Sequence, residues 1–314
     1  MSILVYTESW EGKFRKSTFE AVSYASEVAK MLSTNVIAVS FGEESEDELA
    51  KLGNYGAEKV FACNKIEKGD SETTSNFLAE NSADANIIVF ATTNTSKMIA
   101  SRLSAKIKAG VVSNAIELPA EVTPLTLKRK SFSSKAIEQI KVNSEKAIIC
   151  LASNSFGVIE NKKSCNIDKR TINISENIRF KGQEIATGKV SLTEAEIIVS
   201  AGRGLKGPEN WKMIEDFAEL LGAATACSKP VSDIGWRSHD EHVGQTGKAV
   251  SPNLYFAIGI SGAIQHLAGV NSSKIMVVIN TDPEAPFFKS ADYGIVGDAF
   301  EVVPKLIEEI KKIK

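Results

Sequence analysis

Two glycine-dense segments near the end of this 314-residue chain carry the groups best suited to hold a ligand. The first is Val243-Gly244-Gln245-Thr246-Gly247-Lys248, and the second is Ile258-Gly259-Ile260-Ser261-Gly262-Ala263-Ile264-Gln265-His266. Glycine lets backbone approach a ligand closely, and successive N–H groups can then hold an anion such as pyrophosphate. The pattern around Ile258 reads as a strand end feeding a short helix. That places Ser261-Gly262-Ala263 at a helix start, where an anion is favoured. The implied chemistry is the binding of a nucleotide-type cofactor. Thr246, between two glycines, can present its hydroxyl to it, although a solvated turn threonine looks the same in sequence. His266, taken alone, reads more readily as a packed or surface histidine.

A third segment, Gly202-x-Gly204-x-x-Gly207, follows a strand and precedes a helix, and so matches the dinucleotide fingerprint literally. A nicotinamide site also expects an acid about 20 residues further on to grip the ribose. Here that region reads Cys227-Ser228-Lys229, with Asp233 only later. The turn is therefore read as a cofactor turn but not as an NAD site, with Arg203 a charged partner for phosphate or ring. His239 and His242, beside Asp240 and Glu241, lack a helical framework and a third ligand, so no metal is expected. No Ser/His/Asp arrangement supports hydrolysis. Pro283 and Pro286 stiffen a loop that would position Asn280 at the carboxyl edge of a strand, where ligands bind in open α/β sheets.

The elements that must position these groups alternate. Apolar runs at Ile3–Tyr6, Val36–Ser40, Val60–Ala62 and Ile87–Ala91 are short and nearly continuous, as strands buried on both faces should be. Helical patterns lie between them: Phe19, Val22, Val28, Ala29 and Leu32 share a face, and Met98, Leu103 and Ile107 suggest another helix. Such an order predicts a parallel sheet between helices. Leu125–Phe132 and Ala147–Leu151 read as strands without helices that extend this sheet along an antiparallel edge. Residues 153–192 are polar and weakly patterned, and read as a linker or wrapping segment with a domain boundary near Gly188.

The rhythm restarts with a strand at Ile197–Ser200, a helix at Glu209–Leu221 closed by Gly222, and strands at Ala223–Cys227, Leu254–Ile258, Lys274–Asn280 and Tyr293–Val296. A last helix, Val302 to Ile313, ends on Lys311 and Lys312. The fold class expected is α/β: two Rossmann-like or flavodoxin-like parallel-sheet domains, residues 1–188 and 189–314.

Bulk numbers agree with a globular chain. Hydrophobic residues make up 43% and charged residues 24%, and 37 basic against 39 acidic residues leave a net charge of −2. That balance gives no surface for nucleic acid. Four scattered cysteines read as reduced thiols. No apolar run approaches the ~20 residues of a membrane span, and no signal or transit segment is read. A cytoplasmic protein, not integral to a membrane, is expected.

The motifs Ser200-Ala201-Gly202-Arg203-Gly204-Leu205, Val243 through Gly247, Ile258 through His266, Asn280-x-Asp282-Pro283-Glu284-Ala285-Pro286 and Ala291-Asp292-Tyr293-Gly294-Ile295-Val296-Gly297-Asp298 occur in that order. Together they strongly resemble the alpha subunits of electron transfer flavoproteins over essentially all of residues 195–314. The first half is similar more loosely, chiefly in Ile3–Glu8 and Thr92 to Val112. The resemblance implies a redox carrier, not an enzyme acting on an organic substrate. It implies a heterodimer with a beta subunit and one FAD held by the C-terminal domain of this chain. The N-terminal domain would be a nucleotide-hydrolase-like fold serving structure and subunit contact.

The positions carried over as FAD contacts are Arg203, Ser228, Lys229, Val243, Gly244, Gln245, Thr246, Ser261, Gly262, Ala263, Ile264, Gln265, His266, Asn280, Asp298 and Ala299. By that resemblance Thr246 would lie near the flavin N5. His266 would lie near the pyrimidine carbonyl, where a positive or donor group favours an anionic reduced flavin. Ser261-Gly262-Ala263 would suit the pyrophosphate, with Asn280 and Asp298 toward the adenosine half. Electrons would come from acyl-CoA and related dehydrogenases, as in fatty acid beta-oxidation, and pass to a quinone oxidoreductase or another acceptor. AMP or a second FAD in the beta subunit stays open, and with it flavin-based bifurcation. Lys229 departs from the arginine common in the family, keeping charge but losing a planar fork. The alternatives are an NAD-linked oxidoreductase or a nucleotide-binding module that retains AMP or ATP.

Overall fold

The computed structural model describes residues 1–67, 69–174, 177, 181 and 191–313. The chain divides into two compact units: Met1–Phe132 with Ala136–Glu184, and Ser133–Lys135 with Ile185–Lys314. The boundary expected near Gly188 lies outside the described residues. No helix among the described residues is long and apolar enough to cross a membrane.

In the first unit the chain runs β1 (Ser2–Tyr6), β2 (Ser9–Trp10), β3 (Lys13–Phe14), α1 (Lys16–Met31), β4 (Asn35–Phe41), α2 (Glu46–Ala50), β5 (Lys59–Cys63) and α3 (Ser71–Glu80). It continues through β6 (Ala85–Ala91), α4 (Asn94–Ile107), β7 (Gly110–Ala115), β8 (Glu121–Val122), β9 (Leu125–Ser131), β10 (Ala136–Lys141), β11 (Ala147–Leu151) and β12 (Asn166–Arg170). The main sheet has the order β10-β9-β7-β11-β6-β1-β4-β5-β12, with β8 beside β9. Its central strands bury both faces, as continuous apolar runs predict. Ile3, Val5, Val89 and Ile149 pack in one core layer, and Leu4, Tyr6, Ile88, Phe90, Ile148 and Cys150 in the other.

The antiparallel edge expected from Leu125 onward forms where β9 pairs β10. Ala147–Leu151 does not join that edge. β11 runs parallel between β7 and β6, in the middle of the sheet. Every residue of β11 is buried, and five apolar residues in succession favour the centre over a half-solvated edge. The polar stretch beyond it wraps the unit. Buried Glu20 accepts N–H groups from Asn154, Phe156 and Gly157 at 3.0, 2.9 and 2.8 Å. The following β12 then pairs parallel with β5, a strand its polar sequence did not announce.

The second unit carries β13 (Ile197–Ala201), α5 (Lys212–Leu221), β14 (Ala224–Cys227), α6 (Lys229–Asp233), β15 (Leu254–Ile258), α7 (Ile264–Val270), β16 (Ile275–Asn280), β17 (Tyr293–Val296) and α8 (Ala299–Ile313). The sheet is parallel throughout, in the order β14-β13-β15-β16-β17. The helix expected at Glu209–Leu221 opens as a 3-10 turn, Pro208–Trp211, before α5 begins. Val199, Ala201, Phe256 and Ile258 face the layer holding Phe217 of α5 and Val303 of α8. Ile198, Tyr255, Ala257 and Val278 face the opposite layer, with Val243 and Phe287.

Candidate functional site

All five strands of the second unit end at one edge, so the loops after Ala201, Cys227, Ile258, Asn280 and Val296 lie along it. In this strand order the chain reverses direction between β13 and β15. Ligands of open α/β sheets bind at the carboxyl ends of strands beside such a reversal.

The fingerprint turn stands at that reversal, but all of its N–H donors except that of Arg203 are already engaged. Gly202 N–H donates to the Ile258 carbonyl at 2.9 Å and Gly204 N–H to that of Gly259 at 3.1 Å. The N–H groups of Leu205, Lys206 and Gly207 turn back onto Gly202, Arg203 and Leu205. A Cβ on Gly204 would stand 2.6 Å from the Gly259 Cα, so the two loops meet backbone to backbone. The glycines serve closure between β13 and β15, and the turn continues as a 3-10 segment, Arg203–Leu205, not as a long helix. The turn therefore offers no backbone cradle for phosphate; exposed Arg203 remains as a side-chain contact.

The second glycine segment is the opposite case. No acceptor within the chain meets the N–H groups of Ser261, Gly262, Ala263, Ile264 or Gln265 among the described residues. All of these residues but Gly262 are exposed. Gly262 has φ +84°, and a Cβ there would lie 2.6 Å from the backbone of Phe287. Phe287 N–H donates to the Ser261 carbonyl at 3.1 Å. The segment is thus pinned from below while its donors stay open.

The 243–248 loop docks on the same place. Val243 N–H reaches the Cys227 carbonyl at 3.1 Å, and Gln245 N–H reaches that of Gln265 at 2.7 Å. Thr246 and the side chain of Gln245 are exposed. The loop is braced by Arg237, whose guanidinium forks onto Glu241 at 2.8 and 2.7 Å and reaches Glu215 at 2.8 Å.

His266 is turned inward and only 7% exposed. Its Nε2 lies 2.9 Å from the Tyr255 hydroxyl, and its Nδ1 is buried without a well-formed hydrogen bond. Burial, with repulsion from His242 second, pushes its pKa down to about 4, against the pull of the Val243 backbone. The ring is therefore neutral at pH 7. Tyr255 and Phe287 stack beside it, with centroids 6.3 Å apart and planes at 20°.

Other expected contacts have structural duties of their own. Lys229 pairs with Asp233 one helical turn on, at 2.7 Å, and Ser228, just before it, is buried. Asn280 donates to the Ile260 carbonyl and accepts from Asp282 N–H. Asp298 accepts from Phe300 N–H at the start of α8 and pairs with Lys206 at 3.3 Å. Ala299 is buried in α8. His239 contacts Ser232 at 2.7 Å, and no cluster able to hold a metal occurs among the described residues.

Sequence reasoning missed Tyr255, Phe287 and the Arg237–Glu241–Glu215 group. A tyrosine inside the otherwise apolar run Leu254–Ile258 was the available signal, because a buried phenol needs a partner.

Known proteins resemble this chain along nearly its whole length. Residues 191–271 match the electron transfer flavoprotein FAD-binding domain, and residues 3–175 match the electron transfer flavoprotein domain. The chain is 36% identical to the electron transfer flavoprotein subunit alpha of Syntrophomonas wolfei, over 98% of each chain. It is 36% identical to that of Bacillus subtilis, over 99% of this chain and 98% of the other. A shorter match, 54% identical over 45% of this chain and 40% of its relative, is to the mitochondrial alpha subunit of Dictyostelium discoideum. Near-full-length identity of this order, joined to an open row of backbone donors at the carboxyl edge of the sheet, places the chain in the electron transfer flavoprotein alpha-subunit family.

Proposed function

We propose that this chain holds one FAD along the carboxyl edge of its second sheet. With a beta subunit, it would carry electrons from acyl-CoA and related dehydrogenases to a quinone oxidoreductase or another acceptor. The observation that supports this most is the division of labour between the two glycine segments. The fingerprint turn leaves one N–H open, that of Arg203, while among the described residues Ser261 through Gln265 keep five N–H groups free. That set suits the pyrophosphate of a dinucleotide, and Cys227-Ser228-Lys229, where an acid would grip the ribose of NAD, speaks against the NAD-linked alternative.

FAD, when bound, supplies the one- and two-electron chemistry. The residues of this chain bind and orient. Ser261, Gly262, Ala263, Ile264 and Gln265 would hold the pyrophosphate, Val243 and Gly244 would shape the ring side, and Gln245 and Thr246 would offer exposed polar groups to it. Arg203, Ser228 and Lys229 would line the adjoining edge, His266 would act from beneath, and Asn280, Asp298 and Ala299 would lie toward the adenosine half. Asn280, Asp298 and Ala299 fall beyond the matched residues 191–271. Their support is position on the shared edge.

Purifying the chain with its beta subunit and identifying the released cofactors tests the proposal. One FAD per heterodimer with no nicotinamide-dependent turnover is expected. A second FAD would point to bifurcation, AMP to a nucleotide held by the partner, and a colourless complex would overturn the proposal.

Lys229 gives a smaller prediction. Lys229→Arg restores a planar fork able to stack on a ring, worth about 0.5–1 kcal/mol at an exposed position. For one electron that corresponds to a shift of about 20–40 mV, toward more positive potential. Identical potentials in the two proteins would mean that residue 229 does not reach the flavin.

A further inference from the structure

We propose that Tyr255 is a positioning residue: its phenol donates to His266 Nε2, and so keeps the imidazole proton on Nδ1, against the Val243–Gly244 turn. The proposal concerns hydrogen bonds within this chain and stands apart from the flavin reading.

The 2.9 Å contact between the Tyr255 hydroxyl and Nε2 can run either way. Both groups are neutral: burial holds the imidazole proton off and the phenol proton on. The hydrogen bonds around the pair then decide the direction. Buried Ser200 Oγ has no partner other than an imperfectly aligned approach to the Tyr255 oxygen. The Val243 backbone also approaches the imidazole, and with Nε2 at the Tyr255 hydroxyl the nitrogen left to face it is buried Nδ1. The Val243 N–H is already given to Cys227, so the group facing Nδ1 is the carbonyl.

If Ser200 donates to the phenol oxygen and the phenol donates to Nε2, then Nδ1–H points at an acceptor and every donor has a direction. In the reverse order, Nε2–H donates to Tyr255 and Tyr255 donates to Ser200. The serine hydrogen is then stranded and a bare Nδ1 lone pair faces a carbonyl oxygen. A buried donor left unpaired loses its hydration with no return. Tyr255 cannot swing away to relieve this, because it is fully buried and stacked on Phe287.

The chain has three histidines, so ring-¹⁵N labelling of histidine in the purified two-chain complex gives a readable spectrum. His266→Gln assigns the signals of His266. In the wild type, Nε2 is expected to resonate as an unprotonated nitrogen and Nδ1 as a protonated one. Tyr255→Phe keeps the ring stack and removes the hydroxyl, and should shift Nε2 toward the protonated position. A protonated Nε2 in the wild type, or superimposable spectra of wild type and Tyr255→Phe, would overturn the proposal. The wild-type spectrum decides alone should the variant not fold. A colourless complex with Nδ1 protonated would sink the flavin reading and support the role of Tyr255.

Discussion

Gly262→Ala is expected to strip the flavin from the complex and to lower the unfolding temperature by on the order of 10 °C. Two costs combine there. At φ +84° an L side chain is in the left-handed region, which costs about 1–2 kcal/mol. Its Cβ would also sit 2.6 Å from Phe287 backbone atoms, and such overpacking costs about 1–3 kcal/mol. At about 4 °C per kcal/mol for a unit of this size, the sum gives the shift. Relief comes only by moving Phe287 or tilting Ser261–Gln265, and either change spoils the donor row. Gly222→Ala is the control. Its φ is +64° with nothing within 4 Å of the added carbon, so it carries the conformational cost without the collision and should lose only about 1 kcal/mol. Equal melting curves and equal flavin content in the two variants would show that the contact with Phe287 does not shape the site.

The second large effect is a loss of stability as pH falls from 6.5 to 4. His266 has its pKa pushed from 6.5 down to about 4. Below pH 6.5 the unfolded chain takes up a proton that the folded chain refuses until about pH 4. Stability is therefore lost across that window and changes no further on this account below it. A displacement of this size corresponds to at most about 3 kcal/mol. His242, whose pKa burial also lowers, acts in the same sense. Asp233 and Asp298 are held below the usual carboxylate range; their stabilisation is complete above pH 3.8 and is lost below it, so the two effects separate. Denaturant titrations from pH 7 to 4.5 on wild type and His266→Gln measure the difference. The variant should lose much of the slope, and an unchanged slope would mean that His266 is not buried as a neutral ring.

Much of this architecture was legible because burial on both faces writes itself as unbroken apolar runs. Ile3–Tyr6, Ile87–Ala91 and Leu254–Ile258 are strands where such runs predict them. Where two physical causes give one pattern, the sequence was ambiguous. Ala147–Leu151 is apolar enough for either a centre or a packed edge, and its parallel pairing depends on partners far along the chain. Asn166–Arg170 is polar because it is an edge strand, so it resembled a loop.

The site shows the same limit. Gly262 and its neighbours could be placed at a helix start by sequence, since a short-range pattern decides that. Gly202-x-Gly204 could not be recognised as a packing device, because its use depends on Gly259, brought alongside by the sheet. The inward turn of His266 likewise depends on Tyr255 and Phe287, one from a strand and one from a distant loop.

The most direct measurement is the position of the pyrophosphate in a crystal structure of the flavin-loaded two-chain complex. Its oxygens should lie within hydrogen-bond distance of N–H groups from Ser261 through Gln265, with the Gly202–Gly207 turn still bonded to Ile258 and Gly259. A pyrophosphate seated on the Gly202–Gly207 turn, with those two bonds broken, would contradict the assignment of the cradle.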